Sequence, residues 1–369
     1  MAGESEAPEV CHNRQPRGRK RHARVLDFVA PARSFVSPTT LALPRVLDAP
    51  AQTRRALFES SNVLSRLLAC SVSAESMELD FWGWLCGALG IARQDDWPLA
   101  PIWAADDALP TAGEYWLVAS PVTLQVGRDD VRLTGVDPTA DAAESALLLE
   151  TLNDHFDPDG LTFVRAGSGR WFAHRREQAR IVTTPPDAAR GRSLRPFLPQ
   201  GPEAAQWRRW QNEIQMLLHE HAVNGVRLAR GAAPINSVWL WAGGTLPLKD
   251  TAPELTLFTE HADFAAIARH AGASVQTLQD MSGAQASGKR VVLIDEEANA
   301  FAARAPNSLA GRWAAATPAG TDLVLGGSVR TLVLHGRRPS LGQRLSARLR
   351  SPDVGALLLK HGVLEADEV

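Results

Sequence analysis

The sequence predicts a mixed α/β protein, and three stretches carry that prediction. Residues 291–294 (Val-Val-Leu-Ile) form an unbroken apolar run, the pattern of a strand buried on both faces. Residues 113–173 alternate short strand-like runs with one helical stretch, so strands and helix share a small domain. Residues 203–219 place Trp207, Trp210, Ile214, Leu217 and Leu218 on one face of a helix, with Arg208, Arg209 and Glu213 mostly off it.

The elements follow in chain order. Residues 1–36 hold Arg14, Arg17, Arg19, Lys20, Arg21 and Arg24 among Pro, Gly and polar residues. Such a segment buries too little apolar surface to offset its ordering entropy, so it reads as a disordered basic tail. A start near Leu41, with the tail as upstream artefact, stays open. Residues 37–112 read as mainly helical, with one helix over 54–68 (Leu57, Val63, Leu64, Leu67, Leu68) and a buried helix around 81–85. Pro98, Pro101 and Pro110 mark a loop after it. Residues 113–244 form a mixed α/β domain with strands over 115–119, 122–126 and 131–133, the first two separated by Pro121. A helix follows over 141–156, stopped by Asp157-Pro158-Asp159-Gly160. Then come strands at 161–165 and 171–173, the helix 203–219 with Pro202 in its first turn, and a strand at 238–241 closed by Gly243-Gly244. Residues 245–369 complete an α/β part, with a helix over 255–270, the buried strand 291–294 and a hairpin of 323–325 with 332–334.

Composition narrows the class. A chain of 369 residues suits two domains. Hydrophobic content of 45% and charged content of 22% are ordinary for globular proteins. A net charge of −2 argues against a nucleic-acid partner. No apolar run approaches the roughly 20 residues that span a bilayer. No apolar stretch precedes Val25, so no secretory signal is read. The three cysteines (Cys11, Cys70, Cys86) lack CxxC spacing, which fits a reducing compartment, and the expected location is the cytoplasm. Eleven tryptophans against one tyrosine point to core packing, with ligand stacking as the alternative.

Several motifs invite chemistry. His219-Glu220-His221 spaces its histidines two apart, which in a helix turns them about 200° from each other, so they cannot chelate together. They line a pocket separately or close a helix end, where a cation is favoured. Gly283 to Lys289 has GxxxxGK spacing, but Arg290 stands where the metal-binding hydroxyl belongs, and the loop precedes a strand rather than following one. Asp295 and Glu296 follow the buried strand, where ligands gather in open α/β sheets; the plainer alternative is a helix start. Arg330, Arg337, Arg338, Arg344, Arg348 and Arg350 make the C-terminal part basic, as an anion patch or a solvated face. No GxSxG nucleophile elbow occurs. The candidate pocket gathers Gln200, Asn212, His221, Asn224, Arg227 and Asn236, with His219 and Asp295 as further ligand candidates. Its ligand would be a small anion, unless the asparagines simply hold turns. No catalytic residue, cofactor or resident metal is assigned.

The stretch from Pro196 to Gly244 also carries a resemblance. It includes Pro196-Phe-Leu-Pro-Gln-Gly-Pro202, His221-Ala-Val-Asn224, Gly231-Ala-Ala-Pro234-Ile-Asn236 and the apolar run 237–244. This text resembles the bacterial RpfE-type regulatory proteins, a family often labelled phosphoglycerate-mutase-like, over the chain from about Leu41 onward. It is also similar to the inserted domain of archaeal-type cofactor-independent phosphoglycerate mutases. The resemblance implies an alkaline-phosphatase-like, phosphoglycerate-mutase-like core with a smaller mixed α/β inserted domain. It would further imply an Asp-Gly metal step after the first strand, a Ser nucleophile, and Asp and His metal ligands in the second half. Near Leu41 to Asp48 there is no Asp-Gly step, and Asp295-Glu-Glu-Ala-Asn-Ala-Phe301 lacks the family's Gly-His pair. The expectation is a degenerate, non-catalytic regulatory or ligand-sensing protein with a small anion or a protein as partner. The alternatives are a Mn- or Zn-dependent mutase or phosphatase, and anion or nucleic-acid binding through the basic segments.

Overall fold

Two β-sheets organise the chain, one of seven strands and one of five. The structure is a computed structural model and describes residues 39–128, 130–136, 140–248, 251–282, 288–295, 320–337 and 353–368. All of these belong to one compact unit, Ser34–Val369. In chain order the elements are β1 (Thr39–Leu43), α1 (Ala51–Ser60), α2 (Asn62–Cys70), β2 (Ser71–Met77), α3 (Phe81–Ala88), α4 (Leu99–Asp106), β3 (Tyr115–Val126), β4 (Val131–Val136), α5 (Ala142–Phe156), β5 (Thr162–Arg165), β6 (Trp171–Arg175), α6 (Pro186–Ala189), α7 (Ala204–His219), α8 (Ala222–Ala229), β7 (Ser237–Gly244), β8 (Leu255–Phe258), α9 (Ala262–His270), β9 (Ser274–Gln276), β10 (Lys289–Leu293), β11 (Asp322–Gly326), β12 (Thr331–Gly336) and α10 (Val354–Lys360). No helix among the described residues is long and apolar enough to cross a membrane.

The larger sheet runs β2-β12-β11-β1-β10-β8-β9. Strands β11, β1, β10, β8 and β9 are parallel, with Leu41 opposite Val292 on one side and Leu323 on the other. Strands β12 and β2 add antiparallel at one side. The central strands are buried along their length, which explains their continuous apolar text. In the smaller, antiparallel sheet β7 takes one flank of β3, while β4 and β6 share the other. It is built wholly from residues 115–244.

Helix starts are written into the sequence. Asp80 accepts from the Gly83 N–H at 2.8 Å to open α3, and Asp141 accepts from the Glu144 N–H at 2.8 Å to open α5. Gly160 (φ 66°) then ends the turn after α5 in the left-handed conformation that favours glycine. Helix α7 buries Trp207, Trp210, Ile214 and Leu218, the face its spacing predicts.

Four expectations are corrected. The loop expected around Pro98, Pro101 and Pro110 holds α4, with Pro101 in its first turn, where a missing N–H has no helical partner to lose; β1 and β2 also lie in 37–112, and both are short and draw their order from sheet partners far away in sequence. The helix expected over 54–68 is two helices, because Ser61 leaves the helical conformation and caps α2 by accepting from the Leu64 N–H. The helix expected over 255–270 is β8 followed by α9, since Leu255–Phe258 is fully buried between β10 and β9. Pro121 does not break β3: β6 pairs with residues 115–118 and β4 with 122–126, so the proline falls where neither ladder needs its missing N–H. The tail 1–36, residues 283–287 of the glycine loop, Glu296 and arginines 338, 344, 348 and 350 lie outside the described residues.

The tryptophans fill cores. Trp84, Trp103, Trp116, Trp171, Trp207 and Trp210 are almost fully buried. Helix α4 packs against β3 and β7 of the smaller sheet and against α9, which follows β8 of the larger one. Its Trp103 meets Trp82 at 5.2 Å and Trp241 at 5.7 Å between ring centroids.

Candidate functional site

Parallel strands end together, and open α/β sheets bind ligands at that carboxyl edge. Here the edge brings together residues from four strand ends. Pro44 and Arg45 follow β1, Thr259 to His261 follow β8, Asp295 follows β10, and Gly327 and Ser328 follow β11. Asp295 is nearly buried, with 7% of its side chain exposed, and Arg45 reaches it through Nε at 3.0 Å and an η nitrogen at 2.9 Å. His261 caps α9, its Nδ1 accepting from the Asp263 N–H at 3.3 Å. That bond puts the ring proton on Nε2, which faces Asp295 Oδ2 at 3.4 Å. About half of the Arg45 side chain (53%) and 40% of the His261 side chain stay open to solvent.

Beside this triad, Ser328 donates its hydroxyl to Asp48 Oδ1 at 2.8 Å and its N–H to the same carboxylate at 2.9 Å. The turn before it requires glycine. A Cβ on Gly326 would stand 2.3 Å from the Phe81 ring and 2.5 Å from the Pro44 carbonyl oxygen. Helix α3 docks on this turn through the Phe81 N–H, which donates to the Gly327 carbonyl at 3.1 Å. The Asp80 cap is pushed up to about 6, chiefly by burial and further by Asp96 and Asp48. Its folded pKa lies above the ordinary 3.8, so it stabilises most below about pH 4 and that contribution is lost as the pH rises through about 6. Urea midpoints measured across that window should fall with rising pH, and the slope should shrink in Asp80→Asn. An identical slope in the variant would refute this assignment.

The candidates chosen from sequence separate in space. Gln200, Asn212 and His219 are exposed. His221 caps α8 with Nδ1 accepting from the Val223 N–H at 3.2 Å, and its Nε2 lies 3.1 Å from the Thr151 hydroxyl. Asn224 donates to the Leu218 and Ile235 carbonyls at 2.7 and 2.9 Å and accepts from the Ile235 N–H at 2.8 Å. Asn236 pairs with both backbone groups of Leu124 at 2.7 Å. Arg227 is buried, donating to the Ala233 carbonyl at 2.8 Å and to Glu144 Oε2 at 2.6 Å. Asp295 alone of the eight sits at the carboxyl edge. Nothing local in the sequence marks Arg45 or His261, because β1 and β8 are short strands whose text a helical stretch accepts equally well. Strand ends far apart in sequence give no local motif; the one available signal was the Asp295 run itself.

No protein-family model matches the chain. The chain is similar, over partial stretches, to cofactor-independent phosphoglycerate mutases. It is 29% identical over 119 residues to the 2,3-bisphosphoglycerate-independent phosphoglycerate mutase of Methanosarcina barkeri, covering 32% of this chain and 28% of that enzyme. Against the probable enzyme of Geobacter sulfurreducens it is 29% identical over 106 residues, 28% of this chain and 27% of that one. Against that of Methanothrix thermoacetophila it is 36% identical over 66 residues, 18% and 17% of the two chains. Each matched stretch therefore spans less than a third of the relative's length. The cofactor-independent phosphoglycerate mutase of Thermoplasma acidophilum superposes with a TM-score of 0.40 at 13% identity, over 82% of this chain and 91% of that one. A score of this size fixes neither fold nor function; the α/β class rests on the sheets themselves.

The described carboxylates at this edge already have partners. Asp295 is engaged by Arg45 and His261, and Asp48 by Ser328. Among the described residues no group of three or more His, Cys, Asp or Glu could hold a metal ion.

Proposed function

We propose that this chain is a phosphoglycerate-mutase-like protein that recognises a small phosphorylated acid at the carboxyl edge of its larger sheet. The observation that carries the reading is the Arg45–Asp295–His261 arrangement at the ends of β1, β10 and β8. Arg45 gives Nε and one η nitrogen to Asp295 and still leaves about half of its side chain (53%) open to solvent, a fixed cation that suits a phosphate or carboxylate. Buried Asp295 holds it in place, and the His261 ring, 40% exposed, stands on the other side of that carboxylate. The relatives, all of them mutases by description, favour a phosphorylated three-carbon acid as the ligand class and favour the mutase-type reading over the RpfE-type regulator.

Turnover is the second reading, favoured by those same relatives. The occupied carboxylates favour binding without turnover. One experiment separates them. The purified chain is assayed for 3-phosphoglycerate mutase and phosphatase activity with added Mn²⁺, while its thermal midpoint is followed with 3-phosphoglycerate. A ligand that binds only the native state raises the midpoint, by about 2.7 kcal/mol of stability at a hundred times its Kd. A raised midpoint without turnover supports recognition alone. Turnover lost in Asp295→Asn supports the catalytic reading. No shift and no turnover would overturn both.

A further inference from the structure

A cavity is lined by residues other than Arg45, Asp295 and His261. It measures about 470 Å³ and is lined by Gln94, Asp95, Asp96, Tyr115, Gln178 and Thr245, with Gly243 beside them. That volume lies in the range of small-molecule sites, roughly 300–1,000 Å³.

Its walls are held in place. The Gln94 side chain donates to the Thr245 carbonyl at 2.8 Å and accepts from the Thr245 N–H at 3.0 Å, fastening the 91–98 loop to the end of β7. Asp96 is buried and accepts from the Thr183 N–H at 3.0 Å and the Trp97 N–H at 2.9 Å, as well as from the Thr183 hydroxyl. Gly243 keeps the site open, since a Cβ there would stand 2.1 Å from the Tyr115 hydroxyl.

One group in this cavity lacks a protein partner. Tyr115, the chain's one tyrosine, is 4% exposed, and its hydroxyl has no hydrogen-bond partner. A buried hydroxyl left in that state is costly, and nearly all buried polar groups are paired. The charged residues that line the cavity have one sign, and Arg93, whose field reaches Asp96, lies over the Trp97 ring at 5.8 Å. Asp95 and Asp96 line the cavity, and no Lys or Arg does. Arg175, the guanidinium whose field reaches Tyr115, is paired with Glu177 and lies over the Trp210 ring at 5.6 Å.

We propose that this cavity binds a small organic ammonium ion, which donates a hydrogen bond to the Tyr115 hydroxyl and takes Asp95 as its counter-charge. An anion is repelled by the two carboxylates, and a neutral polyol lacks the charge that Asp95 would meet. The site is separate from the edge that binds the phosphorylated acid, and it uses none of the same residues.

The test is calorimetric titration of the full chain with putrescine, with 1,4-butanediol and succinate as neutral and anionic matches of the same length. Putrescine should bind saturably, and the other two should not. Asp95→Asn changes an exposed residue and should weaken binding about tenfold, the loss of a charge-assisted contact. Tyr115→Phe should weaken it about fivefold, the worth of one hydrogen bond, without lowering the thermal midpoint, because the hydroxyl has no partner to lose. The proposal is overturned if putrescine gives no saturable heat up to about 10 mM, a Kd too weak for a built site. It is equally overturned if succinate binds instead, or if both variants bind as the parent does.

Discussion

Replacing Arg227 by Met should destabilise the protein by roughly 3–5 kcal/mol, the usual cost of stranding one partner of a buried ion pair. Arg227 is 2% exposed and joins α8 to the Glu144 carboxylate at the start of α5. Glu144 is itself only 10% exposed and accepts from Arg230 at 2.7 Å. Removing Arg227 leaves that carboxylate with the half-exposed Arg230 alone and unpairs the Ala233 carbonyl. Urea denaturation gives the loss directly. The double variant Arg227→Met, Glu144→Gln should recover a large part of it, since the stranded charge is gone. A single-variant loss below about 1 kcal/mol, the range of a surface pair, would contradict the account.

Trp103→Ala should cost a similar amount, roughly 3–5 kcal/mol as for other large core truncations. The ring is 2% exposed and packs on Trp82 of α3 and Trp241 of β7. Its indole N–H donates to the Asp263 carbonyl at 3.0 Å, and the Arg170 guanidinium lies over it at 4.8 Å. Arg170 in turn pairs with Asp263 of α9, so one side chain ties the smaller sheet's β6–β7 region to the helix behind β8. The loss should therefore reduce coupling as well as stability. Transitions followed by tryptophan fluorescence and far-ultraviolet circular dichroism should coincide in the parent and separate in the variant. A small loss with coincident transitions would show that α4 does not join the two sheets.

The elements that were legible carry their own boundary signals. Asp141 caps α5 and Gly160 ends its exit, so a local reading suffices. Helix α7 shows its buried face through the spacing of Trp207, Trp210, Ile214 and Leu218. The short parallel strands do not. Leu255–Phe258 is apolar text that a helix accepts equally well, until β10 and β9 flank it. The same limit hid the site. Arg45 and Asp295 are 250 residues apart in sequence and meet only because β1 and β10 are neighbours. The conspicuous polar residues near the Pro196 to Gly244 stretch sit elsewhere, with Asn224 and Asn236 bonded to backbone and Arg227 to Glu144. The carboxyl edge lies outside that stretch.

Calorimetric binding of 3-phosphoglycerate to the parent, Arg45→Ala and His261→Ala tests the central claim most directly. The recognition account predicts saturable binding to the parent and a loss of about 10- to 100-fold in Arg45→Ala, the worth of a charge-assisted contact. It predicts a smaller loss in His261→Ala, whose ring stands 3.4 Å from Asp295 and is part-exposed beside Arg45. Binding that is absent, or unchanged in Arg45→Ala, would contradict it.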